Sequence, residues 1–108
     1  LFRSATLPNS GFSLMKIRHD EMGSRFLLNA ERGMSILSYR MDDPGTIHLT
    51  STYVPTPLRG RGYGGWLVRA GLDHARAQGL RVRSSCWFVD DVVNAFPEYG
   101  ELMVQGVE

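Results

Sequence analysis

The sequence predicts one α/β domain of the α+β kind: an antiparallel run of strands, then a main helix, a further strand and a short C-terminal helix. Three observations lead there: strand-like alternation before residue 55, a glycine-rich stretch at 59–65, and an unbroken helical stripe after it. A length of 108 residues suits a single domain. With 43% hydrophobic and 10% aromatic residues the chain can bury a core.

Met15–His19 and Arg25–Asn29 read as short strands separated by Asp20-Glu21-Met22-Gly23-Ser24. Asn29-Ala30-Glu31-Arg32-Gly33 reads as a turn in which Gly33 is free to take a positive φ. Met34–Arg40 alternates apolar and polar residues as a half-buried strand does, broken only at Leu37. Asp42-Asp43-Pro44-Gly45 is a turn signal. Thr46–Val54 is rich in β-branched and aromatic residues and is expected to place His48, Thr50 and Thr52 on one face. Gly64, Leu67, Val68, Gly71, Leu72 and Ala75 then repeat at helical spacing, with Arg69, Asp73 and Arg76 on the opposite face. Gly79 stands where a helix C-cap glycine belongs. Arg81–Ser85 makes another strand, and Asp90 or Asp91 is expected to cap a brief helix that ends at Phe96 before Pro97. Residues 1–14 are expected to be an N-terminal extension outside the core, leaving 15–108 as the domain.

The formal net charge of +1 argues against a general polyanion binder. Lys16 is the lone lysine among twelve basic residues, and arginine's planar fork suits phosphate when it is not merely compositional. One cysteine, Cys86, excludes an internal disulfide framework and a cysteine-rich zinc site, so no metal is expected and a cytoplasmic setting is. No apolar run approaches the ~18 residues of a membrane span, and Leu1–Gly11 lacks the order of a signal peptide.

The stretch Arg59-Gly60-Arg61-Gly62-Tyr63-Gly64-Gly65 lies between a strand and a helix. Such a turn exposes free backbone N–H groups at a helix N-terminus, where the dipole also favours an anion. Glycine lets a phosphate approach the backbone. Two rival readings use the same letters. Gly60, Gly62 and Gly65 fit the dinucleotide pattern G-x-G-x-x-G, but the next strand ends Arg83-Ser84-Ser85 with no acid until Asp90, and the chain is short for a doubly wound sheet. The Arg/Gly run also looks like an RNA-binding segment, though those occur in repeated, disordered tracts.

Arg59-x-x-Gly62-x-Gly64, so placed, resembles the acyl-CoA signature of the GNAT superfamily of N-acetyltransferases. Together with Thr52–Pro55, Cys86-x-Phe88-Val89 and Pro97-Glu98-Tyr99, it resembles the small single-domain members of the YjdJ type over about residues 15–104. The resemblance implies a twisted, mostly antiparallel mixed sheet that splays beside the glycine loop. It implies acetyl-CoA as co-substrate, with Tyr53 and Val54 offering backbone groups to pantetheine and Arg59, Gly60, Arg61, Gly62, Tyr63 and Gly64 surrounding the pyrophosphate. Asn94 is placed with the cofactor-binding residues on the same basis. Two departures remove proton acceptors: Ser51-Thr52 stands where members often carry His-Thr, and Phe96 where they often carry His.

An alkylamine acceptor with a pKa of ~10.4 costs about 4–5 kcal/mol to deprotonate at pH 7, so a base or a desolvated site must help. Glu98 and Tyr99 are candidate base and acid, and Cys86 is expected close to the CoA sulfur, as a pocket-lining thiol or a nucleophile. His48 is a weaker candidate base, while His19 and His74 read as surface residues. Trp66, outside the apolar stripe, marks either a partner surface or a neighbour's cover. The expectation is an acetyl-CoA-dependent N-acetyltransferase acting on an amine, as monomer or homodimer, without nucleic-acid or membrane partners. Its alternatives are a CoA-binding protein of little activity and, more distantly, an RNA-binding module.

Overall fold

Strand β1 (Ile17–Asp20) turns sharply into β2 (Arg25–Ala30), with Asp20 Oδ1 accepting the Gly23 N–H at 3.1 Å. The computed structural model describes residues 17–30 and 32–104; the expected extension 1–14, Met15, Lys16 and Glu31 lie outside them. Gly33, at φ +144°, opens β3 (Gly33–Asp43), which pairs back on β2, and β4 (Thr46–Tyr53) follows antiparallel to β3. Helix α1 (Tyr63–Gln78) carries the chain across the sheet, and β5 (Arg81–Ser84) then pairs parallel to β4. A parallel neighbour needs such a crossover. The sheet is therefore five-stranded and mixed, in the order β1-β2-β3-β4-β5.

The helical stripe packs as its spacing requires. Gly64, Leu67, Val68, Gly71, Leu72 and Ala75 are all buried, against Phe26, Leu28, Leu37, Ile47 and Leu49 of the sheet. Helix and sheet approach closely at Gly71, where an added Cβ would stand 2.8 Å from Leu37 Cδ2. Gly79 closes the helix in the left-handed region (φ 70°), its N–H reaching the carbonyls of Ala75 and Arg76.

Three expectations need correction. β3 runs on to Asp43, because a register shift lets Asp43 pair with Thr46, so only Pro44-Gly45 remains as the turn. Helix α2 (Trp87–Ala95) starts directly after Cys86, not at Asp90 or Asp91. Burial of Val89 and Val92, with the Phe88 ring against Gly64, sets that start and overrides the aspartate cap signal. Third, His48, Thr50 and Thr52 do not share a face. Ser38 pairs with Ser51 but Tyr39 pairs with Leu49, which leaves Thr50 as a bulge residue without a partner. Thr52 thus joins Leu37 on the helix side, as Leu49 joins Tyr39, while His48 pairs with Arg40 on the far side.

A 3-10 turn (Pro97–Leu102) follows α2 and returns the chain beside β5, where the Val104 N–H reaches the Val82 carbonyl at 2.8 Å. Among the described residues no helix is long and apolar enough to cross a membrane.

Candidate functional site

The β4–β5 ladder ends at Leu49 and Ser84, yet β4 continues to Tyr53 while the chain after Ser84 turns into α2. Beyond the ladder the two strands part. The bulge at Thr50 rotates β4 within the gap, so that Thr52 Oγ1 stands 3.7 Å from Cys86 Sγ across it.

The chain leaves β4 through Pro55 and a short 3-10 turn (Thr56–Leu58) that buries Leu58. Arg59 Nε donates to the Val54 carbonyl at 2.8 Å and so ties the glycine loop to the strand end. Gly60 and Gly62 take φ of 85° and 86°, the left-handed region that a side chain resists. Gly62 is the N-cap of α1, with no side-chain cap and no acidic residue in the first turn. The leading N–H groups of α1 are therefore left for an outside acceptor, at the positive end of a 16-residue helix.

Strand end, loop and α2 start enclose a cleft of about 470 Å³. Thr52, Tyr53 and Val54 form one wall, the loop and Tyr63–Gly65 the floor, and Cys86, Trp87 and Phe88 the other wall. The lining is mainly apolar, and Arg59 is its one formally charged side chain among the described residues. Trp87 and Tyr53 are exposed on either side, at 74% and 53%. No added Cβ would meet an atom within 4 Å at Gly60, Gly62 or Gly65, so the space above the loop is open. Gly64 differs: its Cβ would strike the Phe88 ring at 3.0 Å, which makes it a packing glycine.

Of the residues singled out from sequence, Tyr53, Val54, Arg59, Gly60, Gly62, Tyr63, Gly64 and Cys86 converge on this cleft. Arg61 sits exposed on the loop between the two left-handed glycines. Asn94, Glu98 and Tyr99 are not in the lining. Asn94 is exposed near the far end of α2, since the earlier helix start turns residues 87 and 88 to the cleft instead. Glu98 is exposed, and its carbonyl takes a 3.0 Å hydrogen bond from Arg76. Tyr99 is buried, donating from its hydroxyl to Asp73 at 2.8 Å and accepting from Arg69 at 3.5 Å. Burial raises the Tyr99 pKa above its usual value. These bonds fasten the C-terminal turn to α1.

Thr52, Leu58, Gly65, Trp87 and Phe88 also line the cleft and were not among the candidates; the adjacent Tyr53, Cys86 and the loop were the available signals. His19 and His74 are not the plain surface residues expected. His19 stacks on Phe26 with ring centroids 4.3 Å apart and hydrogen-bonds the Tyr39 hydroxyl at 2.6 Å. His74 lies 4.5 Å from the His19 ring, and burial, then His19, lower its pKa. His19, Tyr39 and His74 line a second, polar hollow of about 600 Å³ that has no glycine loop. Trp66 packs against the core, its ring 6.0 Å from that of Tyr63, so it covers a neighbour. Among the described residues no group of three or more His, Cys, Asp or Glu is placed to hold a metal.

Comparison with known proteins agrees with this geometry. The chain is 30% identical over 93 residues to protein NATD1 of Xenopus tropicalis, covering 82% of this chain and 85% of that one. It is 31% identical over 91 residues to the Bos taurus NATD1, covering 81% and 80%. The solution structure of a GCN5-like protein of Staphylococcus aureus superposes with a TM-score of 0.66 at 27% identity, covering 86% of this chain and 90% of that one. These matches do not reach the narrower YjdJ grouping. The family model described as GCN5-related N-acetyl-transferase matches residues 25–102, from the first residue of β2 through the C-terminal turn. With the splayed strands and the uncapped helix behind the glycine loop, that span places the chain in the GCN5-related N-acetyltransferase family.

Proposed function

We propose that the protein transfers an acetyl group from acetyl-CoA to an amine. One observation supports this above the others: an uncapped helix N-terminus and two left-handed glycines open onto a mainly apolar cleft between parting strands. The cleft suits a donor with an anionic pyrophosphate at one end and an uncharged arm at the other. The free N–H groups of the α1 first turn and the Arg61 guanidinium would hold the pyrophosphate. Tyr53 and Val54, beyond the end of the β4–β5 ladder, have backbone groups on that side for the amides of the arm. Acetyl-CoA supplies an activated thioester. The chain's residues position it, and Cys86 and Phe88 limit water around it.

A second reading, CoA binding with little catalysis, has one observation in its favour. No carboxylate or imidazole lines the cleft among the described residues, so it holds no direct base. An RNA-binding role is less well supported, because the loop is folded between a strand and a helix, with Arg59 engaged on Val54. A cytoplasmic setting and the absence of nucleic-acid or membrane partners remain part of the proposal.

Thermal denaturation tests the donor. Acetyl-CoA at about 100 times its Kd should add about 2.7 kcal/mol to the folded state, whereas NADH and a short RNA add nothing. Stabilisation by RNA and none by acetyl-CoA would refute the reading.

A further inference from the structure

Asp42, His48 and Ser85 lie on three different segments, and they meet beside the irregularity of the β3–β4 ladder between Met41 and Asp43. Between Met41, paired with Ile47, and Asp43, paired with Thr46, Asp42 is an extra residue whose side chain can turn toward its neighbours. Its Oδ2 lies 3.1 Å from His48 Nδ1, and His48 Nε2 lies 3.0 Å from Ser85 Oγ. The His48 side chain is 9% exposed, while Ser85 is exposed.

The chemistry fixes the direction of this chain. An ionised carboxylate only accepts, so His48 Nδ1 carries the proton it shares with Asp42. In the neutral ring Nε2 then holds a lone pair, and the Ser85 hydroxyl donates to it. Asp42 stays ionised because Arg40 Nε, at 2.9 Å, holds its carboxyl below the ordinary range, with His48 contributing, and Arg83 Nε also donates to it at 3.0 Å. A proton arriving at Ser85 thus has a hydrogen-bonded route to an imidazole backed by a negative charge.

The position matters as much as the order. Ser85 N donates to the Leu49 carbonyl at 3.1 Å, the last tie before β4 and β5 part, and the next residue, Cys86, lines the cleft. Ser85 follows Arg83 on the sheet face that bears His48, away from α1. The relay therefore stands at the root of the gap, on the side opposite the glycine loop.

We propose that Asp42, His48 and Ser85 form a proton relay that deprotonates the acceptor amine, and that the amine enters the gap from the sheet face opposite α1. The inference rests on the acetyl-transfer reading and supplies the base that the cleft lacks. An alkylammonium gives one proton to Ser85 Oγ as the Ser85 proton passes to His48 Nε2. The freed nitrogen lone pair forms the C–N bond as the C–S bond breaks. The amine's remaining excess proton leaves with the CoA sulfur as thiol, and His48 returns its proton to water. Amines that are already neutral at pH 7 need no such help. The relay thus assigns the acceptor class as basic alkylamines.

The test compares two amines at pH 7 with acetyl-CoA as donor: benzylamine, largely protonated, and p-anisidine, largely neutral. In His48→Gln and Ser85→Ala, kcat/KM for benzylamine should fall about 10²-fold, while for p-anisidine it changes less than about threefold. Ser85→Thr, which keeps the hydroxyl, should retain most of the benzylamine rate, and calorimetry should find acetyl-CoA affinity unchanged in all three variants. Ser85 is exposed, so Ser85→Ala carries the test even if His48→Gln folds poorly. Equal losses for both amines, no loss for benzylamine, or binding of acetyl-CoA with acetylation of neither amine would overturn the relay. Absence of acetyl-CoA binding in the unsubstituted protein would instead overturn the reading beneath it.

Discussion

Gly65→Ala should move stability and donor binding in opposite directions. Gly65 lies in the first turn of α1, inside the helix, at a φ that is not positive. An added Cβ there meets nothing within 4 Å. Alanine therefore gains helix propensity and loses unfolded-state freedom without a clash, a gain of about 0.5–1 kcal/mol. For a domain of this size that raises Tm by about 2–8 °C. The same methyl projects from a residue lining the cleft, where the donor's phosphates would approach the backbone. Acetyl-CoA affinity should fall at least about tenfold, or ~1.4 kcal/mol. Scanning calorimetry and isothermal titration on the same preparation give both numbers. A higher Tm with unchanged affinity would refute the phosphate site at the head of α1. A lower Tm would refute the local packing of the helix start.

Gly62→Ala should instead lose on both counts, because φ of 86° in the N-cap costs an L-residue about 1–2 kcal/mol; parallel titration and melting check it. Tyr99→Phe should cost about 1–3 kcal/mol through the lost bond to Asp73 in chemical denaturation, and leave acetyl-CoA affinity as it was. Cys86→Ala should keep donor binding and lose less than about tenfold in turnover. A stoichiometric, thiol-labile acetyl adduct on Cys86 by intact mass spectrometry, with no turnover in the variant, would contradict that. Asp42 has a folded pKa below its ordinary 3.8, chiefly through Arg40, so its contribution to stability is present above that value and is lost as pH falls below it. Asp42→Asn should flatten this part of the acid limb in melting curves between neutral pH and about pH 3.

What the sequence disclosed was what local pattern controls. The glycine loop, the stripe from Gly64 to Ala75 and the Gly79 cap each rest on one turn or one periodicity, and each stands where expected. The two ladder irregularities left no such trace. Thr46–Val54 alternates smoothly in letters, yet the bulge at Thr50 sends Thr52 to Cys86 and His48 to the other face. Asp42 reads as part of a turn, but its release from the ladder depends on how β4 pairs, which no window of β3 contains. The start of α2 was misplaced for a related reason. Asp90 and Asp91 are good caps in isolation, but burying Val89 and seating Phe88 against Gly64 are tertiary terms that outweigh one cap. Tyr99 shows the same limit from the site side, since its hydroxyl is taken by Asp73 from a helix 26 residues away in sequence.

Donor binding in the cleft is most directly tested by titrating isotope-labelled protein with acetyl-CoA and following its backbone amide resonances. The account predicts the largest shifts at Gly60 to Trp66 and at Thr52 to Val54, with the amides of Cys86 and Trp87 next and those around His19, Tyr39 and His74 unmoved. Saturable shifts confined to the His19–His74 hollow, or none at millimolar acetyl-CoA, would contradict it.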